Sequence, residues 1–128
     1  MESMNESRSI RVIIADDQEL VRAGFAMVIG SQQDMEVVAQ ASDGAEAVTM
    51  AETLHPDVVL MDVRMPGMSG LEVQEHLLAR KAELPIIFIT GHGDVSMAVN
   101  ALKRGAVDFI EKPFEQAALK QLVELGKL

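Results

Sequence analysis

Three aspartates, a threonine and a lysine stand directly after short apolar runs in a chain of 128 residues. Asp16 and Asp17 follow IRVIIA, Asp62 follows DVVLM, Thr90 closes PIIFIT, and Lys112, next to Pro113, comes just beyond AVDFI. Each alone has an ordinary reading. An aspartate after a strand is most often a helix cap or turn residue, and a threonine ending a strand is usually only a strand residue. Jointly they point to chemistry. Clustered carboxylates repel one another and lose solvation, a cost that a hard divalent cation with oxygen ligands relieves. Magnesium typically takes one or two carboxylates and completes its shell with water and phosphate oxygens. An ammonium and a hydroxyl on the same rim suit the other oxygens of a phosphoryl group. The set predicts magnesium-assisted phosphoryl transfer. Asp62 is the expected acceptor, because the adjacent Asp16 and Asp17 are better placed to hold metal.

These residues meet only if the runs before them are strands of one parallel sheet. Ile10–Ala15, Met35–Ala41, Asp57–Met61, Pro85–Thr90 and Ala106–Ile110 are short and β-branched. Most are apolar in succession, as expected when both sheet faces are covered. Helix-length stretches separate them. Val95, Val99 and Leu102 follow an i, i+4, i+7 pattern, as do Ala118, Leu122 and Leu125. Leu20, Gly24 and Met27 repeat it with a small residue in the middle, where a helix is expected to approach the sheet. Asp94 is an expected N-cap and Gly105 an expected helix stop. The order (βα)5 predicts an α/β fold with a doubly wound five-stranded parallel sheet, which binds ligands outside the carboxyl ends of its strands. Residues 1–9 (MESMNESRS) read as a flexible leader and 10–128 as one domain, with no internal repeat or second domain.

Composition narrows the function. Eleven basic against 20 acidic residues give a net charge of −9, which argues against a stand-alone nucleic-acid binder. Cysteine is absent, so thiolate chemistry and disulfides are excluded. No apolar run approaches the ~18 residues of a membrane span and no signal-peptide pattern opens the chain, so a soluble cytoplasmic domain is expected. His55, His76 and His92 have no metal-ligand spacing, and Met61, Met65 and Met68 read as adaptable packing. The stretch around Ser69 lacks G-x-S-x-G, and there is no G-x-G-x-x-G or P-loop, so serine hydrolysis and nucleotide binding have no support.

The segments IIADDQELVRAGF (13–25), DVVLMDVRMPGMSGLE (57–72), PIIFITGHGD (85–94) and GAVDFIEKPFE (105–115) resemble the receiver domain of bacterial two-component response regulators. The resemblance implies the flavodoxin/CheY-like fold with strand order 2-1-3-4-5. It also implies roles. Asp62 would accept a phosphoryl group from a sensor histidine kinase. Asp17 would bind Mg2+ directly and Asp16 through water, Arg64 would complete the metal site with its backbone carbonyl, and Mn2+ would substitute. Thr90 and Phe109 would form the switch, Lys112 would pair with a phosphoryl oxygen, and Lys112–Pro113 would be cis. Arg64 and His92 resemble positions that tune phosphoryl lifetime. The catalysis implied is limited to self-catalysed phosphotransfer and autodephosphorylation.

The first half of the chain resembles receivers of the NarL type and the second half those of the FixJ type, with a join expected around residues 60–80, as in a chimera. Further implied partners are a phosphorylation-dependent homodimer and DNA, the latter only through an effector domain absent from this chain; no membrane is implied. Two other readings remain open. One is a magnesium-dependent aspartyl-nucleophile phosphatase of the haloacid dehalogenase type, in which Arg64 occupies the place of the acid. The other is a receiver-like binding module that is never phosphorylated.

Overall fold

A computed structural model describes residues 9–80, 84–91 and 93–127; residues 1–8 of the expected leader lie outside the described residues. Five strands alternate with five helices: β1 (Ile10–Ala15), α1 (Glu19–Gly30), β2 (Met35–Ala41), α2 (Gly44–Leu54), β3 (Val58–Asp62), α3 (Gly70–Ala79), β4 (Ile86–Thr90), α4 (Val95–Lys103), β5 (Asp108–Glu111) and α5 (Gln116–Lys127). The strands form one parallel sheet in the order β2-β1-β3-β4-β5. This is the expected doubly wound α/β fold.

Strand residues alternate between two apolar layers, as the two-residue period requires. Ile13, Ala15, Val59, Met61 and Phe88 pack under α2, α3 and α4, against Ala47, Val48, Val73, Leu77 and Ala101. Val12, Ile14, Leu60, Ile87 and Ile89 pack under α1 and α5, against Phe25, Val28, Ile29, Leu119 and Val123. Phe25 and Phe114 stack with ring centroids 4.3 Å apart, joining α1 to the segment before α5. Full burial of each large aliphatic side chain contributes about 1.5–3 kcal/mol.

Three helices turn differently from the sequence expectation: in α5, Leu125 is 56% exposed and the helix docks through Leu119 and Val123, with Ala118 and Leu122 only partly buried. In α1, Leu20 and Met27 are 87% and 73% exposed, and nothing lies within 4 Å of a Cβ placed on Gly24. The helix docks through Phe25, Val28 and Ile29. In α4, Val95 and Val99 are exposed while Ala98 and Ala101 are buried, so that helix lies close to the sheet through its smallest side chains. The fifth strand begins at Asp108 rather than Ala106. Gly105, at φ +108°, ends the helical turn as expected, and Val107 then bonds Ile86 O at 2.9 Å on the way into the strand. Among the described residues, no helix is long and apolar enough to cross a membrane.

Candidate functional site

All five chemically equipped residues sit at the carboxyl ends of the three central strands and β5. Asp16 and Asp17 follow β1, Asp62 ends β3, Thr90 ends β4, and Lys112 follows β5. Carboxylate oxygens of Asp16, Asp17 and Asp62 all lie within 4.8 Å of one another. Lys112 Nζ stands 3.4 Å from Asp16 Oδ2 and 3.7 Å from Asp62 Oδ2.

Asp16 is fully buried and fixed at four atoms. Its N–H donates to Ala41 O at 3.0 Å, and its carbonyl accepts from Arg22 at 2.7 Å. One carboxylate oxygen accepts from the Gln18 N–H at 2.9 Å and the other from Lys112. Asp17, by contrast, is exposed. The pair therefore offers one anchored carboxylate and one open to incoming ligands.

Asp62 is 7% exposed, and its Oδ1 accepts from the Arg64 N–H at 3.1 Å. Burial lifts its carboxyl from 3.8 to about 6; the Arg64 N–H opposes this, the charge of Asp16 adds to it, and Lys112 opposes it. The backbone behind it is tightly packed. A Cβ on Gly70 would fall 2.3 Å from the Asp62 carbonyl oxygen, so only glycine fits where α3 begins. Ser69 caps α3 by accepting from the Glu72 N–H, while Glu72 accepts from the Ser69 N–H.

Thr90 is fully buried, and its hydroxyl has no hydrogen-bond partner among the described residues. Phe109 is half-buried one strand away, opposite Phe88. Arg64 directs its side chain away from the cluster, donating to Asp94 Oδ1 at 2.8 Å. Asp94 stands at the N-cap of α4 as expected but makes no side-chain cap; its backbone, at φ −106° and ψ 12°, lies outside the extended region typical of capping residues, and its Oδ1 is paired with Arg64. The Lys112–Pro113 bond is cis. His92 lies outside the described residues.

Sequence reasoning missed Gly70, Arg22 and Asp94 as site-builders. The S-x-x-E signature at Ser69–Glu72 marks the start of α3 and hence the turn holding Gly70. Nothing in the sequence signals that Arg22 reaches the Asp16 carbonyl.

The residues present fit a small divalent cation. Oxygens around a magnesium ion at about 2.1 Å lie roughly 3–4 Å apart, and the three carboxylates already lie within 4.8 Å of one another. Among the described residues they outnumber the one ammonium near them, and the burial that raises the Asp62 carboxyl penalises its ionised form, a cost that a cation would offset.

Comparison with known proteins agrees with this geometry. The profile of the response regulator receiver domain matches residues 12–124. The transcriptional regulatory protein FixJ of Azorhizobium caulinodans is 43% identical over 116 residues, covering 91% of this chain and 53% of that protein. The chemotaxis protein CheY of Listeria monocytogenes is 35% identical over 115 residues, covering 90% of this chain and 96% of that protein. The signal receiver domain of NarL from Mycobacterium tuberculosis superposes with a TM-score of 0.86 at 30% identity, covering 94% of this chain and 98% of that one. The chain spans about half the length of the first curated relatives it matches. On the profile match and these likenesses together, the chain belongs to the response regulator receiver domain family.

Proposed function

We propose that this receiver domain accepts a phosphoryl group on Asp62 from the phosphohistidine of a sensor histidine kinase, and that the acyl phosphate switches the face carried by residues 90–115 to regulate transcription. The observation that carries this reading is the buried Asp62 carboxylate, with two further carboxylates and the Lys112 ammonium within reach. An Asp62 oxygen attacks phosphorus as the bond from phosphorus to the histidine nitrogen breaks. The reaction needs alignment and charge stabilisation more than covalent help. Lys112 pairs with a phosphoryl oxygen, and the unpartnered Thr90 hydroxyl donates to another. Phe109 then follows Thr90 inward. Arg64, and His92 beyond it, set how long the acyl phosphate survives.

Asp17 directly, Asp16 through water, Asp62, and the Arg64 carbonyl would hold Mg2+ or Mn2+, which when bound neutralises charge on the phosphoryl oxygens. Phosphorylation adds about two negative charges to this pocket and so biases a two-state element. The domain acts through protein contacts, including a homodimer formed on phosphorylation. DNA is reached only through an effector domain. The chain is a signalling phosphoacceptor; beyond its own phosphotransfer and autodephosphorylation it is not an enzyme.

Incubation with acetyl phosphate and magnesium should add one phosphoryl mass to the chain, and Asp62→Asn should abolish the addition. A chain left unmodified where a control receiver is phosphorylated would overturn the proposal and favour a binding module. Sustained hydrolysis of free phosphate esters would instead favour a phosphatase, for which Arg64, tied to Asp94, supplies no acid. Light scattering before and after phosphorylation tests the homodimer.

A further inference from the structure

Arg22 closes the first turn of α1, where a cation opposes the positive end of the helix dipole. The helix itself gains nothing from that charge. The residue is half-buried, and its Nη1 donates to the Asp16 carbonyl at 2.7 Å. That carbonyl belongs to the peptide joining Asp16 to Asp17. The same guanidinium is felt in the loop after β2. There the Glu46 carboxyl is held below its ordinary value, first by hydrogen bonds from Ser42 and, beyond these, by the charge of Arg22. Arg22 thus bridges the two loops that flank Asp16, whose own N–H donates to Ala41 O at the end of β2.

The two aspartates depend on the peptide between them unequally. The Asp16 carboxylate has anchors of its own, the Gln18 N–H and Lys112. Asp17 is exposed, and among the described residues its carboxylate has no hydrogen-bond partner. Its direction follows from the backbone that carries it. Rotation of the Asp16–Asp17 peptide would swing it away from Asp16 and Asp62, with which it shares a cluster only 4.8 Å across. The contact that holds the oxygen of that peptide comes from Arg22.

We propose that Arg22 is a positioning residue for the cation site: by fixing the Asp16–Asp17 peptide it aims the Asp17 carboxylate at the point where Asp16 and Asp62 converge. The inference rests on the magnesium-binding reading above. It is tested by titrating the 15N-labelled chain with magnesium chloride in metal-free buffer and following the amides of residues 16–18 and 62–64. Arg22→Met keeps an apolar stem and removes the donor. It should weaken magnesium binding about 10- to 100-fold, the usual result of losing a group that orients a metal ligand. Arg11→Met is the control. Arg11 also donates to carbonyls, those of Leu54 and His55, but it lies at the other end of β1, so its loss should leave magnesium affinity unchanged. Adding Asp17→Asn to Arg22→Met should cost less affinity than Asp17→Asn costs in wild type, because the carboxylate removed is already misdirected. If Arg22→Met fails to fold, Arg22→Ala, well suited to a helix, is read in the same way. No saturable shift in folded wild type would remove the metal site itself. Where wild type binds, undiminished affinity in folded Arg22→Met, an equal loss in Arg11→Met, or independent losses from Arg22→Met and Asp17→Asn would overturn the role of Arg22 alone.

Discussion

Arg64 Nε donates to Asp94 Oδ1 at 2.8 Å, and the pair binds the turn after β3 to the residue that opens α4. The two side chains differ in environment, with Arg64 68% exposed and Asp94 14% exposed. Asp94 occupies the N-cap position with its carboxylate turned to the guanidinium instead of to the helix N–H groups. Its Oδ1 serves the arginine, and neither oxygen serves the cap.

Arg64→Ala should therefore change stability by no more than about 0.5 kcal/mol, since the freed carboxylate takes up a cap worth about 1 kcal/mol in place of a weak exposed ion pair. Asp94→Ala loses both options and should cost about 1 kcal/mol. Urea unfolding of the two variants checks the exchange. Equal losses would show that Asp94 does not cap when released.

Thr90→Val replaces a buried, partnerless hydroxyl with a methyl of similar shape. The unphosphorylated protein should be as stable as wild type or gain up to ~1 kcal/mol, whereas the phosphorylation-induced change at residues 90–115 should be lost. Equilibrium unfolding reads the first effect and amide shifts after acetyl phosphate treatment the second. A loss above ~1 kcal/mol would mean that the hydroxyl has a partner in solution.

Gly70→Ala forces a methyl to within 2.3 Å of the Asp62 carbonyl oxygen and 2.9 Å of Phe88 Cε1. The expected cost is about 1–3 kcal/mol, with slower phosphorylation because the acceptor's backbone shifts. Gly24→Ala is the control. Nothing lies within 4 Å of its new methyl, so it should stabilise α1, by about 0.5–1 kcal/mol. Thermal melts of the two variants should move in opposite directions.

Asp62 also predicts a pH dependence. Its carboxyl rises from 3.8 to about 6 in the folded protein, facing Asp16 and Lys112, so the native state holds the extra proton between those values. Stability should then fall as pH rises from about 4 to 6, and the ionised group remains a cost above that. In metal-free buffer, Asp62→Asn should be more stable than wild type at pH 7.5, on the order of 2 kcal/mol. The advantage should vanish near pH 3.5, below both values. Denaturant titrations at the two pH values test the sign, and an advantage persisting at low pH would contradict it.

Magnesium should reverse that cost. At about 100 times its dissociation constant, a cation that binds only the folded state contributes ~2.7 kcal/mol. The melting temperature of wild type should rise with added magnesium, and Asp17→Asn, which loses the exposed carboxylate, should respond far less. An equal rise in Asp17→Asn would remove Asp17 from the metal site.

The site was more legible in the sequence than the packing. In a parallel sheet the residues after successive strands share a rim, so Asp16, Asp62, Thr90 and Lys112 follow from the apolar runs that precede them. Helix facing was less legible. Leu20, Gly24 and Met27 have helical spacing, but so does the Val21, Phe25, Val28 stripe beside them, and spacing cannot say which one faces the sheet. In α4 the alanines bury and the valines do not, because a close approach selects small side chains that carry little hydrophobic signal. Arg64–Asp94 was invisible for another reason. It joins an exposed and a half-buried residue thirty positions apart, and nothing local marks the pairing.

The contact of Lys112 with Asp16 spans 96 residues and joins the loop after the first strand to the loop after the last. Such a contact carries a high loop-closure cost and forms only when the intervening sheet has assembled. The proposed reactivity at Asp62 would therefore double as a report on folding. If Asp62 is the acceptor as proposed, a nascent or partly opened chain would bring it no ammonium, and should be a poor substrate until β1, β3, β4 and β5 are in register.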